Sequence, residues 1–397
     1  VTRNRNEAQF DKYRNWQWIK HLALADYIVP WAEKVGSIAY RIFIVDLFAG
    51  AGTYQDALTG ATTDGSPPIF ARRAQRYQEA HPERTLQVIC SERNKTNVTA
   101  LTERVGGFGP LVKILHGSFA RHIDNICSTI GNAPALILFD PIGLKPIAAK
   151  TIRPLLHRRG KTDVFMILHF KVIHRTAGML LDTGYANPAI SSAERAAGML
   201  DAVFGTKRWR FIAKNPRITN VEERERAYLD LYFEEVLGSR YPLRCAYAVR
   251  SKYISKVQYW LVHASDHLDA HLLMNDEIVK LEEKLYELTY RVEDALPGFV
   301  QDEWKAKIVE EEDVLAERMF ALVIDAPGCS MTFGALRDKL LPEFFGRVKQ
   351  GAYSRAAKAL LKADRMTREK EGLRPKLDLD ERLSIPPAAR AAAASAA

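Results

Sequence analysis

Five short apolar runs, at 42–48, 86–91, 112–115, 135–139 and 164–169, alternate with stretches of helical spacing, and this alternation narrows the fold more than any other feature. Each run is too short for a buried helix, and turn residues bound it, so each reads as a strand buried on both faces. Parallel strands need long crossovers, which the intervening helices supply; the pattern predicts an α/β, doubly wound, Rossmann-like sheet. Two further runs, "LRCAYAVRS" and "VQYWLVHAS", are separated only by 252–256. So short a link suits an antiparallel hairpin at the sheet edge.

Residues 8–36 carry Phe10, Tyr13, Leu22, Leu24, Ile28 and Trp31 at mostly helical spacing, with Pro30 placed to bend or end the segment. A helical insertion is expected over 171–240, and a long charged helix over 266–294. Pro297-Gly298 marks a break, so the first domain is read as 1–300 and a second as 301–385. The second has the order helix (314–324), turn, helix (333–340), helix (353–363) and basic stretch, which predicts a winged helix-turn-helix. The tail from 386 to 397 is low-complexity and expected to be disordered.

The net charge of +9 favours polyanionic partners. Cys90, Cys127, Cys245 and Cys329 are scattered, with no metal-binding spacing and no disulfide framework, as expected in a reducing cytoplasm. No run approaches the roughly 20 apolar residues that span a bilayer, so no membrane association is expected.

The first strand ends in "DLFAGAGTY", where Asp46, Phe48, Gly50 and Gly52 form a tight corner before a helix or loop. Glycines there let a ligand approach main-chain amides. A dinucleotide pyrophosphate wants a third glycine where Gln55 stands, and a P-loop wants a Lys-Ser/Thr pair that is missing. S-adenosylmethionine has no phosphate and needs only the turn and hydrogen-bonding groups. Glu92, at the end of the second strand, is placed to accept from both ribose hydroxyls; an exposed, solvated acid is the other reading.

Asp140-Pro141 leaves the fourth strand at the edge where open α/β sheets bind ligands. A carboxylate and neighbouring carbonyls that accept N–H bonds would orient an amine for methylation. The alternative is an ordinary helix N-cap.

These segments, together with "WIKHLAL", "DGSPPIFA", "FGTKRW", "RERAYLDLYFEEVL" and "YWLVHASDH", resemble the three-Cys-motif partner family, which is similar to class I methyltransferases. The resemblance covers nearly the whole chain. It implies an S-adenosylmethionine-dependent methyltransferase that works beside a three-Cys-motif partner protein. It puts the cofactor at Asp46, Phe48, Gly50, Gly52 and Glu92, with Ser118 as a weak match for the adenine-binding acid. Asp140 and Pro141 fall at the acceptor edge. Ile142 replaces the family's aromatic, and His169-Phe170 replaces an Asn-Phe. His169 is read either as a proton acceptor or as a structural residue. Lys20 and His21 lie, by the same resemblance, either near the cofactor mouth or on a solvated helix face.

In the second domain Arg355, Lys358 and Lys362 recur at i, i+3 and i+7, and Arg368 follows in the basic stretch. Such a stripe suits phosphate contact; winged helices also dock proteins. The expected function is nitrogen-directed methylation of a nucleic acid or of a substrate presented by the partner. The alternative is a non-catalytic nucleic-acid-binding partner protein with a methyltransferase-like core.

Overall fold

The computed structural model describes residues 15–55, 62–141, 143, 147–181, 189–250, 256–290, 298–369 and 377–387. Phe10, Tyr13, Ile142 and the 388–397 part of the tail lie outside them. The chain forms two compact units, Val1–His271 and Leu272–Ala397. The division read from Pro297-Gly298 falls later than this one.

The first unit opens with α1 (Asn15–Gly36), in which Pro30 sits inside the helix without ending it. It is followed by β1 (Arg41–Asp46), a small hairpin of β2 (Thr53–Gln55) and β3 (Thr62–Asp64), α2 (Ser66–Ala80), β4 (Thr85–Glu92) and α3 (Lys95–Val105). Then come β5 (Val112–His116), α4 (Phe119–Ile130), β6 (Ala135–Phe139), α5 (Ala149–Leu156) and β7 (Thr162–Leu168). The helical insertion comprises α6 (Phe170–Leu181), α7 (Ala189–Phe204), α8 (Trp209–Lys214) and α9 (Val221–Tyr232). The hairpin of β8 (Leu243–Arg250) and β9 (Val257–Ser265) completes the sheet.

The sheet has seven strands in the order β5-β4-β1-β6-β7-β9-β8. The first five are parallel, while β9 runs antiparallel to both β7 and β8. The doubly wound α/β architecture and the antiparallel edge hairpin are therefore as the apolar runs predict. Strand alternation sends Phe43 and Val45 to one face, where they join Ile137, Met166 and the insertion's Tyr228 and Leu237 in one core. The opposite face is covered by α1 and α2. There Leu24, Tyr27, Ile28 and Trp31 form a buried stripe along α1. Fully burying an aliphatic or aromatic side chain of this kind contributes about 1.5–3 kcal/mol.

That second face holds buried polar groups. Asp163 accepts hydrogen bonds from Tyr27 Oη at 2.8 Å and from Ser265 Oγ. Burial pushes its carboxyl up to about 6, against the pull of those two bonds. Nearby, His263 Nδ1 meets His271 Nδ1 at 3.0 Å, and His271 Nε2 donates to the Leu243 carbonyl at 2.8 Å. One proton serves each ring, so both are neutral. Burial pushes His271 down to about 4, and burial together with its neighbour pushes His263 well below its usual value.

A histidine whose folded pKa is depressed stabilises the fold above its unfolded value of about 6.5, and this contribution is lost as pH falls toward 4. Between pH 7.5 and 5 the chain should lose about 2 kcal/mol through His271 alone. Asp46 and Asp163 shift the opposite way, so a comparison with His271→Gln isolates the effect. The gap in urea stability between parent and variant should narrow by that amount at pH 5, and a constant gap would refute the assignment.

The second unit contains most of α10 (Leu268–Tyr290), then α11 (Phe299–Ile324), β10 (Ser330–Thr332), α12 (Phe333–Phe344), α13 (Gln350–Lys362), β11 (Thr367–Arg368) and β12 (Arg382–Ser384). The short strands form an antiparallel sheet in the order β10-β12-β11. The helix expected at 314–324 is the end of the much longer α11, and the one expected at 333–340 runs on to Phe344. Thr332 caps α12 by accepting from the Ala335 amide at 3.3 Å. Residues 370–376, the middle of the basic stretch expected to form the wing, lie outside the described residues.

Candidate active site

β1 is flanked by β4 and β6, and Asp46 pairs with Cys90 on one side and Leu138 on the other. Glu92 and Asp140 each stand two residues beyond those partners, so the alternation sends them toward the same face as Asp46. Adjacent strands lie about 4.8 Å apart, which leaves about 10 Å between the ends of β4 and β6. The glycine corner lies across that gap.

The corner is tied to Glu92. Gly50 has φ 63° and Gly52 φ 76°, conformations that favour glycine. The Gly50 amide donates to Glu92 Oε2 at 2.9 Å, and the Asn94 amide donates to Glu92 Oε1 at 2.6 Å. A carboxylate has about four acceptor positions, so each oxygen keeps one for a ligand. A side chain added at Gly50 would meet nothing within 4 Å. The space beside the Gly50 Cα is open.

Asp46 is placed differently from the sequence expectation of a ligand contact. It is 0% exposed and accepts from Ser66 Oγ at 2.6 Å and from the Phe48 amide at 3.1 Å. It braces the corner from behind and has no surface to offer a cofactor. Burial raises its carboxyl to about 6, with the two hydrogen bonds opposing. Phe48 is half-buried and packs edge-on to Phe119, ring centroids 5.3 Å apart. Ser118 is the N-cap of α4 but makes no capping bond with its side chain. It follows β5, next in the sheet to β4, and the Gly117 amide donates to the Glu92 carbonyl.

Asp140 is largely withdrawn from solvent. Its carboxylate takes a hydrogen-bonded ion pair from Lys20 Nζ, and the side chains are 9% exposed for Lys20 and 19% for Asp140. Pro141 beside it is buried. Of the two readings of Lys20 and His21, the solvated helix face is excluded, because both residues are buried. Burial pulls against ionisation of both partners. The Lys20 ammonium nonetheless holds Asp140 below the usual carboxylate range, and Asp140 holds Lys20 above its usual value. His21, pushed down to about 3 by burial and by Lys20, is neutral.

Tyr54 joins these groups. Its ring lies 5.4 Å from that of His21 and 5.8 Å from Lys20 Nζ. Burial raises its hydroxyl pKa against the pull of Lys20, and Asp140, Asp46 and Glu92 add to the rise. His169 is half-buried and contacts Tyr259 at 5.6 Å between centroids, and it adds to the pull that lowers the Asp140 pKa. Tyr54, Ser66 and Tyr259 are site residues that sequence reasoning missed. The only signal for Ser66 was its place in "DGSPP".

In the second unit, Lys358 and Lys362 are exposed on α13. Arg355 is held by Glu312 of α11, and Arg368 lies 3.5 Å from Glu381. Glu312 and Glu381 are themselves largely withdrawn from solvent, so the two contacts reduce the basic stripe, while Lys358 and Lys362 keep it open.

No family model matches the chain, and no curated protein matches it. Solved structures similar to it include spermidine synthase from Thermotoga maritima, 12% identical, covering 72% of this chain and 73% of that one with a TM-score of 0.32. M. jannaschii TYW2 in complex with AdoMet is 13% identical over 60% of this chain and 74% of that one, TM-score 0.27. An O-methyltransferase from Bacillus cereus in complex with SAH is 10% identical over 64% and 90%, TM-score 0.29. Likeness at this level assigns neither ligand nor reaction.

Proposed function

We propose that the first unit is an S-adenosylmethionine-dependent methyltransferase acting on a nitrogen of a nucleic acid or of a substrate presented by a partner protein. One observation carries this reading. Glu92 and Asp140 flank the glycine corner at the same height on the carboxyl edge of the sheet, where open α/β sheets bind ligands. The open space at Gly50 and the spare acceptor positions of Glu92 fit a ribose and an amino-acid end, and the corner lacks the third glycine of a pyrophosphate site.

Gly50, Gly52 and Glu92 would hold the cofactor, with Ser118 beside the adenine and Asp46 bracing the corner. When bound, S-adenosylmethionine supplies an electrophilic methyl group on a sulfonium. Asp140 accepts an N–H of the acceptor amine on the oxygen that Lys20 leaves free, turning the nitrogen lone pair toward the methyl donor. A carboxylate held below its usual pKa is a poor proton sink. Its contribution is therefore orientation and stabilisation of the developing ammonium charge. The exposed Lys358 and Lys362, beside the β10-β12-β11 sheet, support a winged helix that contacts phosphates. The three-Cys-motif partner suggested by the sequence resemblance fits a chain that works within a complex. The four free cysteines suit the cytoplasm, and among the described residues no helix is long and apolar enough to cross a membrane.

Calorimetry with S-adenosylmethionine tests the reading directly. The parent should bind saturably, and Glu92→Ala should weaken binding roughly 10- to 100-fold, the loss expected for hydrogen bonds to a charged group. Equal affinities in parent and variant would remove Glu92 from the site. The closed Lys20–Asp140 pair favours a second reading, a non-catalytic nucleic-acid-binding protein with a methyltransferase-like core. Salt-sensitive nucleic-acid binding with no cofactor uptake would be its signature.

A further inference from the structure

A groove of about 460 Å³ runs along α1 and α2 in the first unit. Leu22, Ala25 and Ile69 give it an apolar floor, and Arg72, Arg73 and Arg76 of α2 form one wall. His21 lines it too, and the next residue back, Lys20, holds Asp140. We propose that this groove binds phosphate groups of the substrate, an inference that rests on reading Asp140 as the acceptor site.

Three observations carry it. Arg72 and Arg76 stand four residues apart and Arg73 and Arg76 three apart, so all three guanidinium groups project from neighbouring positions on one side of α2. Like charges at those spacings destabilise a helix, and bound anionic phosphate groups would offset that repulsion.

The charge of the groove is also unbalanced. Asp64 is shared between Arg72 and Arg104, each at 2.7 Å, and Asp26 lies 3.6 Å from Arg73. Among the described residues no carboxylate lies within ion-pair distance of Arg76, and four arginines face two aspartates. Guanidinium groups arranged as a wall offer the forked donors that match phosphate oxygens, which a single ammonium does not.

The third observation is position. The ring of His21 connects the groove to Tyr54, and Tyr54 lies beside Lys20. The end of the groove at His21 thus lies toward Tyr54 and Lys20, the side on which Asp140 stands. A polynucleotide strand and a free nucleotide share this chemistry.

The test compares the full chain with Arg72→Ala/Arg76→Ala. Fluorescence anisotropy follows a short labelled single-stranded oligonucleotide over a salt series, adenosine monophosphate is titrated separately by calorimetry, and S-adenosylmethionine affinity and the urea midpoint are measured alongside. Loss of two phosphate contacts should weaken oligonucleotide binding about tenfold and lower the slope of log K against log salt by about 1.4, the single-strand value for two contacts. Weakening of the monophosphate alone would support the groove with a mononucleotide as its ligand. Unchanged affinity for both, in a variant with the parent's urea midpoint, overturns the proposal. Failure of the parent to take up S-adenosylmethionine overturns the methyltransferase reading instead, and the anisotropy result still decides the groove.

Discussion

An Asp140→Asn chain should bind S-adenosylmethionine as tightly as the parent, within about a factor of two, and transfer methyl groups about 10² to 10³ times more slowly. The asparagine oxygen still accepts from Lys20, so the packing around α1 is kept, whereas alanine would leave a buried ammonium without a partner. What the substitution removes is the negative charge facing the acceptor amine. That charge matters only as the nitrogen becomes cationic, so turnover falls while cofactor affinity stays. The measurement pairs calorimetry with transfer of labelled methyl groups to a single-stranded oligonucleotide. Parent-like turnover in Asp140→Asn would remove Asp140 from the reaction and leave the Lys20 pair as a structural feature.

The parts legible in the sequence and the parts hidden from it differ for physical reasons. Parallel strands buried on both faces leave uninterrupted apolar runs, and β6 begins and ends where its run does. The first strand is shorter than its run because Leu47 and Phe48 already belong to the turn that Asp46 braces. Adjacency to the glycines placed Asp46 at the corner, but only the strand register shows that it points toward the buried start of α2. Lys20 left a readable trace, since it lies on the same helical stripe as Leu24, Tyr27, Ile28 and Trp31, where a cation is buried and must find an anion. Which anion was not readable, because Asp140 is 120 residues away. The same holds for Arg355. Its spacing with Lys358 and Lys362 was plain, while its counter-charge Glu312 lies on a helix whose facing side is set by packing.

Replacing Lys20 by methionine should cost about 3 kcal/mol of stability at neutral pH, near the lower end for breaking a buried ion pair because Asp140 keeps some contact with solvent. The methionine fills the aliphatic volume, so the loss comes from an uncompensated carboxylate. The sign with pH follows from the two states of Asp140. In the parent its folded pKa is depressed, so its contribution is present above the ordinary value of about 3.9 and is lost only as pH falls below that. Without Lys20, burial is opposed only by the smaller pull of His169 and His21, and the pKa rises. The deficit of Lys20→Met should then be largest at neutral pH and shrink as the solution is acidified through that raised value. Adding Asp140→Asn to Lys20→Met should recover most of the lost stability, since no buried charge remains to be compensated. Urea midpoints of the parent, the two single variants and the double variant at pH 7.5 and 5 complete the cycle. Additive losses would show that Lys20 and Asp140 stabilise the fold independently, and the ion pair would then have no part in holding the carboxylate charged at the sheet edge.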